Sequence, residues 1–296
     1  MKRIIPLILI VIIFFSLTSC KNKSPYDYRT SDSLTVYFFD VGQADSSLLI
    51  FPDNTIMLID CGNSADADKL TGFIGQLGIK TIDYLILTHP HEDHIGGALK
   101  VFENFNVSTF CFPEIDNSVD FVDERYNKTL AAANDEKCEL LPLTAGTIMS
   151  EKENYSITAI SPVENCIYSD LNDYSLSLIV TCYTNTILFT GDMGAAAEMD
   201  VLKQNFNIRA DLLKVGHHGS NNSTTLSFLE ATKPQVAVIS SGRGNSYGHP
   251  SSELLMRLND RNIKSYRTDS VGTVIARLYD GGFNIVTDKN IDLDGN

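Results

Sequence analysis

The stretch Thr88-His89-Pro90-His91-Glu92-Asp93-His94-Ile95-Gly96-Gly97 puts three imidazoles and the Asp93 carboxylate into six positions, directly after the apolar run 84–87. Three of the six histidines of the chain fall here. Crowding such groups at the end of a buried strand costs stability unless a cation offsets it. His89 and His91 are two apart, so an extended segment projects them to one side, and Pro90 between them resists an early helical turn. Asp93 and His94 follow where the chain starts to coil, and Gly96-Gly97 lets the backbone approach a neighbour closely. Two nitrogens directed at one point, with an oxygen and a nitrogen at the next, suit two divalent ions a few ångströms apart better than one tetrahedral centre.

Working outward, the run 84–87 reads as a buried strand that delivers the cluster at its C-terminal end, the usual place for a ligand in an α/β protein. Three β-like runs precede it at 34–40, 46–51 and 55–60, the last two joined by the turn Pro52-Asp53-Asn54. Residues 66–77 have helical spacing that Gly78 ends. Helix at 98–105, strand at 107–112 and helix at 120–134 follow. The second half repeats the plan. Strands are expected at 155–160, 175–183 and 186–190, the last ending in Gly191-Asp192, then a helix at 195–206. A strand at 211–215 ends in Gly216-His217-His218-Gly219, and another at 235–241 leads through the loop 241–246 to His249 and a helix at 251–258. Such a pseudo-duplication suggests two sheets face to face with helices outside and metals between loops on one edge.

Lys2 and Arg3 precede the apolar run 4–17, which ends in Leu17-Thr18-Ser19-Cys20. Length and abrupt ending indicate an export signal rather than a membrane span. The ending resembles a bacterial lipobox, which implies a lipid on Cys20, a membrane anchor and a location in the cell envelope; a plain signal peptide or an N-terminal membrane helix is the alternative. Residues 1–20 are thus read as a lipoprotein signal peptide, 21–33 as a polar tether and 34–296 as a single folded domain.

The chain has 296 residues and a formal charge of −14, and losing Lys2 and Arg3 would make it two units more negative. No cluster of Lys and Arg occurs outside the leader. That balance disfavours a general grip on nucleic acid, while a small anion can still be held by metal and a few local cations. Five cysteines follow Cys20 with no C-x-x-C pair among them. Cys61, Cys111 and Cys182 sit in or beside apolar runs, where a thiol acts as a small hydrophobe, so no disulfide framework is expected.

The H-x-H-x-D-H pattern at His89, His91, Asp93 and His94 resembles the metallo-β-lactamase superfamily. Phe39-Asp40-Val41-Gly42-Gln43-Ala44-Asp45-Ser46 is similar to the D-V-G-Q-G-D-S segment of its ComEC-like branch, with Ala44 in place of a Gly. That branch comprises the C-terminal hydrolase domain of DNA-uptake competence proteins and stand-alone exported relatives. Leu188-Phe189-Thr190-Gly191-Asp192, Leu213-Lys214-Val215-Gly216-His217-His218-Gly219-Ser220 and Tyr247-Gly248-His249-Pro250 extend the likeness over residues 34–286.

The resemblance implies a four-layer αββα sandwich of the metallo-β-lactamase type, in the α/β class. It implies two divalent metal ions, zinc foremost with manganese as the other choice, held by His89, His91, Asp93, His94, Asp192 and His217. Asp192 would bridge the ions. His217 is preferred to His218, which is left a supporting role, although spacing alone does not separate adjacent histidines. Where many members carry one more histidine this chain has Asn172 and Ser175, matching an N-x-x-S pattern of the branch, so the first ion is expected to have fewer protein ligands. Asp93 and His249 are the catalytic candidates: Asp93 to orient a hydroxide bridging the ions, His249 to donate to a phosphoryl oxygen or the leaving group, unless it is a packing histidine. Arg243 either adds a charge at the cleft or is a solvated loop cation. Asp40, Gln43, Asp45 and Asp60 either brace the site through hydrogen bonds, rather than bind metal, or only shape turns.

The expected activity is phosphodiester hydrolysis by an exported metallo-hydrolase, acting on nucleic acid or a small envelope phosphodiester, with no protein partner implied. A metal-containing binding module without turnover is the alternative, and a β-lactam hydrolase a more remote one.

Overall fold

The computed structural model describes residues 24–115 and 124–291. The signal peptide, Cys20 and the first part of the expected helix 120–134 lie outside the described residues.

Strands β1 (Ser33–Phe38), β2 (Ser47–Ile50) and β3 (Ile56–Ile59) form an antiparallel meander. Helix α1 (Ala67–Gln76), β4 (Thr81–Ile86), the single turn α2 (Glu92–Ile95), α3 (Ala98–Asn104), β5 (Asn106–Pro113), α4 (Glu124–Asp135) and β6 (Glu139–Leu143) continue it, with β3 to β6 parallel. The second sheet repeats this pattern. Antiparallel β7 (Ile148–Glu151), β8 (Tyr155–Ser161), β9 (Ser177–Cys182) and β10 (Asn185–Phe189) lead to α5 (Ala195–Lys203) and β11 (Leu212–Lys214). Helix α6 (Leu226–Thr232), β12 (Val236–Ile239), α7 (Ser252–Asn259), β13 (Lys264–Arg267) and α8 (Thr268–Val271) follow, with β10 to β13 parallel.

The last hairpin, β14 (Thr273–Tyr279) and β15 (Gly282–Asp288), returns to the first sheet, whose order is β15-β14-β1-β2-β3-β4-β5-β6. The two halves of the chain therefore do not map cleanly onto the two sheets. The reason lies in β1: every residue of it is buried, and an apolar edge strand left unpaired would invite association. β14 covers it with antiparallel pairing from Ser33↔Tyr279 to Phe38↔Val274.

Period-two alternation divides the core into layers. In β1 and the residue after it, Leu34, Val36 and Phe38 face the second sheet, whereas Tyr37 and Phe39 face helices α1 and α3. β2 and β3 alternate in the same way, Leu49 and Met57 inward, Leu48 and Leu58 outward. Phe38 and Phe189 stack across the sheet interface at 5.8 Å. Behind the second sheet, Leu188, Leu213, Val215, Ala237 and Ile239 pack on α5, α6 and α7. The order helix, sheet, sheet, helix is thus the αββα sandwich expected of the sequence. Because both faces of both sheets are covered, the strands read as continuous apolar runs.

One expectation is corrected. Residues 24–33 are not a free tether, because Tyr26 and Tyr28 pack on the outer core, the Tyr28 hydroxyl donates to Asp288 at 2.7 Å and Arg29 donates to the carbonyl of Leu77. Polar composition concealed this, since two amphipathic tyrosines can seal a core edge without any apolar period. The close approach expected at Gly96 and Gly97 is an approach to neighbouring backbone. A Cβ on Gly96 would overlap Ser64 N and Glu92 O, and one on Gly97 would overlap Cys61 O, so these glycines dock the histidine loop on the segment after β3. The five described cysteines are free thiols.

Glu198 of α5 is buried and its carboxylate accepts from the backbone N–H groups of Thr224 and Thr225, at the start of α6. Burial pushes its pKa from 4.5 up to about 7, although the bonds from Thr225 and Thr224 and the charge of Arg257 pull the other way. The folded protein therefore holds a proton that the unfolded chain has released, and stability falls as pH rises from about 4.5 to about 7, then levels off. Denaturant titrations at pH 5 and pH 8 are expected to show wild type losing on the order of 3 kcal/mol relative to Glu198→Gln. Equal pH slopes in the two proteins would remove this assignment.

Candidate metal centre

Six loops meet at one edge of the sandwich, all at C-terminal ends of strands: those after β1, β3, β4, β10, β11 and β12. The loop after β4 carries the histidines. His89 is buried, and His91 is the extended residue that precedes α2 (φ −70°, ψ 151°). His89 Nε2 and His91 Nδ1 are 3.0 Å apart, and Asn172 Oδ1 lies 3.0 Å from the same His91 nitrogen. Asn172 sits in the 3-10 turn Leu171–Tyr174 before β9, whose start is capped by the Asp170 side chain accepting from Asn172 N. Ser175 follows it: its Oγ lies 3.4 Å from His89 Nδ1 and accepts from Asp192 N at 2.9 Å. Asn172 and Ser175 thus join the first histidine pair to the loop that carries Asp192.

A second group gathers around Asp192 Oδ2. His94 Nε2 lies 3.4 Å from it, His218 Nε2 3.5 Å, His217 Nε2 3.9 Å and His89 Nε2 4.0 Å. His218 Nε2 is also 3.2 Å from Asp93 Oδ2. The outer nitrogens of two buried rings are fixed: Nδ1–H of His94 donates to Asp60 Oδ2 at 2.7 Å, and Nδ1–H of His218 to the carbonyl of Ser240 at 3.1 Å. Those partners set the tautomer and leave each Nε2 lone pair facing inward. Asp60 is itself anchored, accepting from the backbone N–H and the hydroxyl of Thr88 at 2.8 Å each.

Both His217 and His218 reach Asp192, but their rings turn differently. His218, with its ring 2% exposed, is the member of the buried ligand-like group, whereas the His217 ring is 28% exposed and stacks edge-on against His249. Adjacent residues in a strand exit diverge according to backbone conformation, and here both carry positive φ, near 50°; spacing could not foresee which ring turns inward. Asp93 remains at the cleft with 34% of its side chain exposed. His249 lies beside the cluster, its ring 5.6 Å from that of His217 and stacked on the exposed Tyr247. Arg243 is not brought in: it is exposed and its Nε donates to the carbonyl of Asp269.

The electrostatics follow from burial against charge. Burial alone would depress His94, but Asp192 and Asp60 outweigh it and raise its pKa well above the ordinary value. His218 is raised likewise by Asp192 and Asp93 against its burial. Burial would raise Asp192, yet His218 and His94 hold it well below the usual carboxylate range. Asp93 is lowered against burial by His218 and His94. His89, buried and next to His94, is driven well below the usual range. The negative field that favours a proton on His94 is the field a divalent cation would experience.

The side chains fit a metal. His94 Nε2, His218 Nε2, Asp192 Oδ1 and Asp45 Oδ1 are buried without a hydrogen-bond partner, a combination whose desolvation is unfavourable unless a cation satisfies it. Ligand atoms of Asp45, His94, Asp192 and His218 all lie within 4.8 Å of one another. Imidazole and carboxylate donors suit zinc and its neighbours in the first transition row.

Sequence reasoning missed one member of this environment. Lys214, 3% exposed, donates to Asp45 Oδ2 at 2.7 Å beneath the site. A lysine flanked by Leu213 and Val215 in a buried strand was the available signal, since a lone ammonium seldom stays there without a carboxylate.

Residues 40–131 match the model of the Metallo-beta-lactamase superfamily. The chain is 32% identical over 257 residues to ComE operon protein 3 of Bacillus subtilis (strain 168), covering 81% of this chain and 32% of that protein. It is 29% identical over 253 residues to competence protein ComA of Neisseria gonorrhoeae, covering 83% and 33%. The chain therefore spans about a third of the length of these curated relatives. Among solved structures it is similar to Tm1679, described as a metal-dependent hydrolase of the beta-lactamase superfamily, with a TM-score of 0.52 at 15% identity over 86% of this chain and 100% of that one; at that identity the likeness is one of fold. The sandwich, the histidine loop at its edge and these relatives together establish that the chain carries a domain of the metallo-β-lactamase superfamily, with the ComEC family of competence proteins as its homologues.

Proposed function

We propose that this protein is a metal-dependent hydrolase of the cell envelope that cleaves phosphodiesters. The observation that carries the reading is the convergence of donor atoms in two sets near Asp192: His89 Nε2, His91 Nδ1 and Asn172 Oδ1 in one, His94 Nε2, His218 Nε2 and Asp93 in the other. Two such sets would suit two divalent cations, zinc foremost and manganese second, with Asp192 among the residues that would hold them. When bound, the cations would polarise the phosphoryl oxygens and lower the pKa of a water towards neutrality, supplying both Lewis acid and nucleophile.

The chain's own groups do the placing. Asp93 is the half-exposed carboxylate of the set, and its depressed pKa keeps it an acceptor able to orient a water entering from the cleft. His249 is depressed by burial and by the charges of His217 and His218, so near neutral pH it carries a single N–H, suited to hold a phosphoryl oxygen rather than to release a proton to a leaving group. Asn172 in place of a third imidazole leaves the first position more open to substrate. No side-chain nucleophile is needed; Ser220 accepts from Asn222 N in its turn and adjoins no general base.

The acidic chain and the outward turn of Arg243 favour a small diester carrying one negative charge, while the competence relatives favour nucleic acid. Both contain the same bond. The leader at 1–20 supports export and attachment to a membrane through a lipid on Cys20.

The purified chain loaded with Zn²⁺ or Mn²⁺ is expected to hydrolyse bis(p-nitrophenyl) phosphate, with at least a hundredfold loss in His91→Ala and Asp192→Ala, on the order of 3 kcal/mol of transition-state stabilisation. Unchanged hydrolysis in both variants would remove the mechanism, and metal binding without turnover on any ester would turn the reading towards a binding module. Run in parallel at matched salt, single-stranded DNA, plasmid and small diesters decide the substrate.

Asp60→Asn, which loosens His94, is expected to weaken metal binding about 10–100-fold in a chelator competition; wild-type affinity would deny Asp60 its orienting role. Mass spectrometry of the protein from bacterial membranes should find a diacylglyceryl group on Cys20 as the first residue. A chain still beginning at an unmodified Met1 would refute the anchor.

A further inference from the structure

The β1–β2 loop places Asp45 where three separate parts of the site meet. Its backbone N–H donates to the carbonyl of Asp93 at 3.0 Å, and its carbonyl accepts from Gly62 N at 2.8 Å. Its side chain, 4% exposed, spans to the other sheet: Oδ2 takes the ammonium of Lys214 at 2.7 Å, which donates a second bond to the carbonyl of Val215 at 3.1 Å. The other oxygen, Oδ1, is buried with no hydrogen-bond partner, and a ligand atom of Asp45 lies within 4.8 Å of those of His94, Asp192 and His218.

A buried carboxylate ion-paired through one oxygen alone leaves the second desolvated and uncompensated. Lysine, a compact point charge, cannot grip both oxygens in the way a guanidinium fork would. Lys214 is thus suited to hold Asp45 in one orientation while keeping Oδ1 available. An ammonium this close to a cation site would also repel the cation unless a carboxylate stood between them, which is where Asp45 stands. The space around the pair amounts to about 10 Å³, bounded by Ser47, Asp60, Thr88 and Phe189, room for roughly one water at most.

We propose that Asp45 is a further metal ligand, giving Oδ1 to the ion held by His94, Asp192 and His218, and that Lys214 is a positioning residue that fixes this carboxylate through its other oxygen. The inference rests on the metal-site reading above and deepens it: the ion would be tied to the loop after β1 in the first sheet as well as to the loops after β4, β10 and β11.

The wild-type protein crystallised with Zn²⁺ tests this directly through anomalous scattering. Asp45 Oδ1 should lie within about 2.0–2.2 Å of the ion, the range of zinc–carboxylate bonds. An ion on His94, Asp192 and His218 with a water on Oδ1 would overturn the assignment of Asp45 while sparing the metal reading; no zinc on those three residues would overturn both. In solution, the neutral double variant Asp45→Asn/Lys214→Met avoids stranding either charge. It is expected to fold with a metal-free Tm close to wild type, yet to lose at least about tenfold in zinc affinity by chelator competition and to change the visible spectrum of the Co²⁺ form. Lys214→Met alone should keep the ion but alter that spectrum, because the carboxylate loses its fixed orientation. Wild-type affinity and spectrum in the double variant would reduce the pair to a structural tie.

Discussion

Charge buried at the seam of two sheets is the constraint on which the rest of this structure depends. Asp45, Asp60 and Asp192 are each less than a tenth exposed and lie at the same edge of the sandwich. Carboxylates in such a place are stable only when each is paired and hydrogen-bonded. Lys214 answers Asp45, while the His94 imidazole and the Thr88 amide and hydroxyl answer Asp60. Asp192 takes the Ser175 hydroxyl only on its backbone N–H and keeps its carboxylate among imidazoles. What pairing leaves over is a set of lone pairs aimed at common points, and that surplus is the site.

The fold makes the convergence possible because its two sheets are built alike. Each passes from an antiparallel meander to parallel strands crossed by helices, so each offers loops at the C-terminal ends of central strands. Packing the sheets face to face sets the loop after β4 against those after β10 and β11. Rigid supports then refine the positions: Gly96 and Gly97 press the histidine loop on the segment after β3, and the Asn172–Ser175 turn links it to Asp192. His94 and His218 are also held from behind by bonds from their Nδ1 atoms to Asp60 and to the Ser240 carbonyl, which is how a site keeps its geometry independently of what enters it.

The chain carries a domain of the metallo-β-lactamase superfamily and has homologues in the ComEC family, and it spans about a third of the length of those curated relatives. Its acidic balance stands in contrast to what gripping a long polyanion through the general surface requires. The cleft is lined by carboxylates and imidazoles rather than by a basic stripe.

By itself the sequence determined the αββα class, most strands and the histidine loop, because strands buried on both faces write continuous apolar runs and because clustered imidazoles have few other uses. Asp192 at the end of β10 was legible as a polar group at a strand end, whereas Asn172 and Ser175 were legible only through the family resemblance. Tertiary structure alone decided what depends on long-range pairing. It placed β14 and β15 in the first sheet beside an otherwise naked β1, seated Tyr26 and Tyr28 on the outer core, and turned Arg243 away from the cleft. It also buried the ring of His218 more deeply than that of its neighbour and joined Asp45 to Lys214 across 169 positions of chain. Local spacing records which face a residue shares with its neighbours, whereas the direction of a ring on a left-handed backbone, or the partner of a buried ammonium, is set only when distant segments pack.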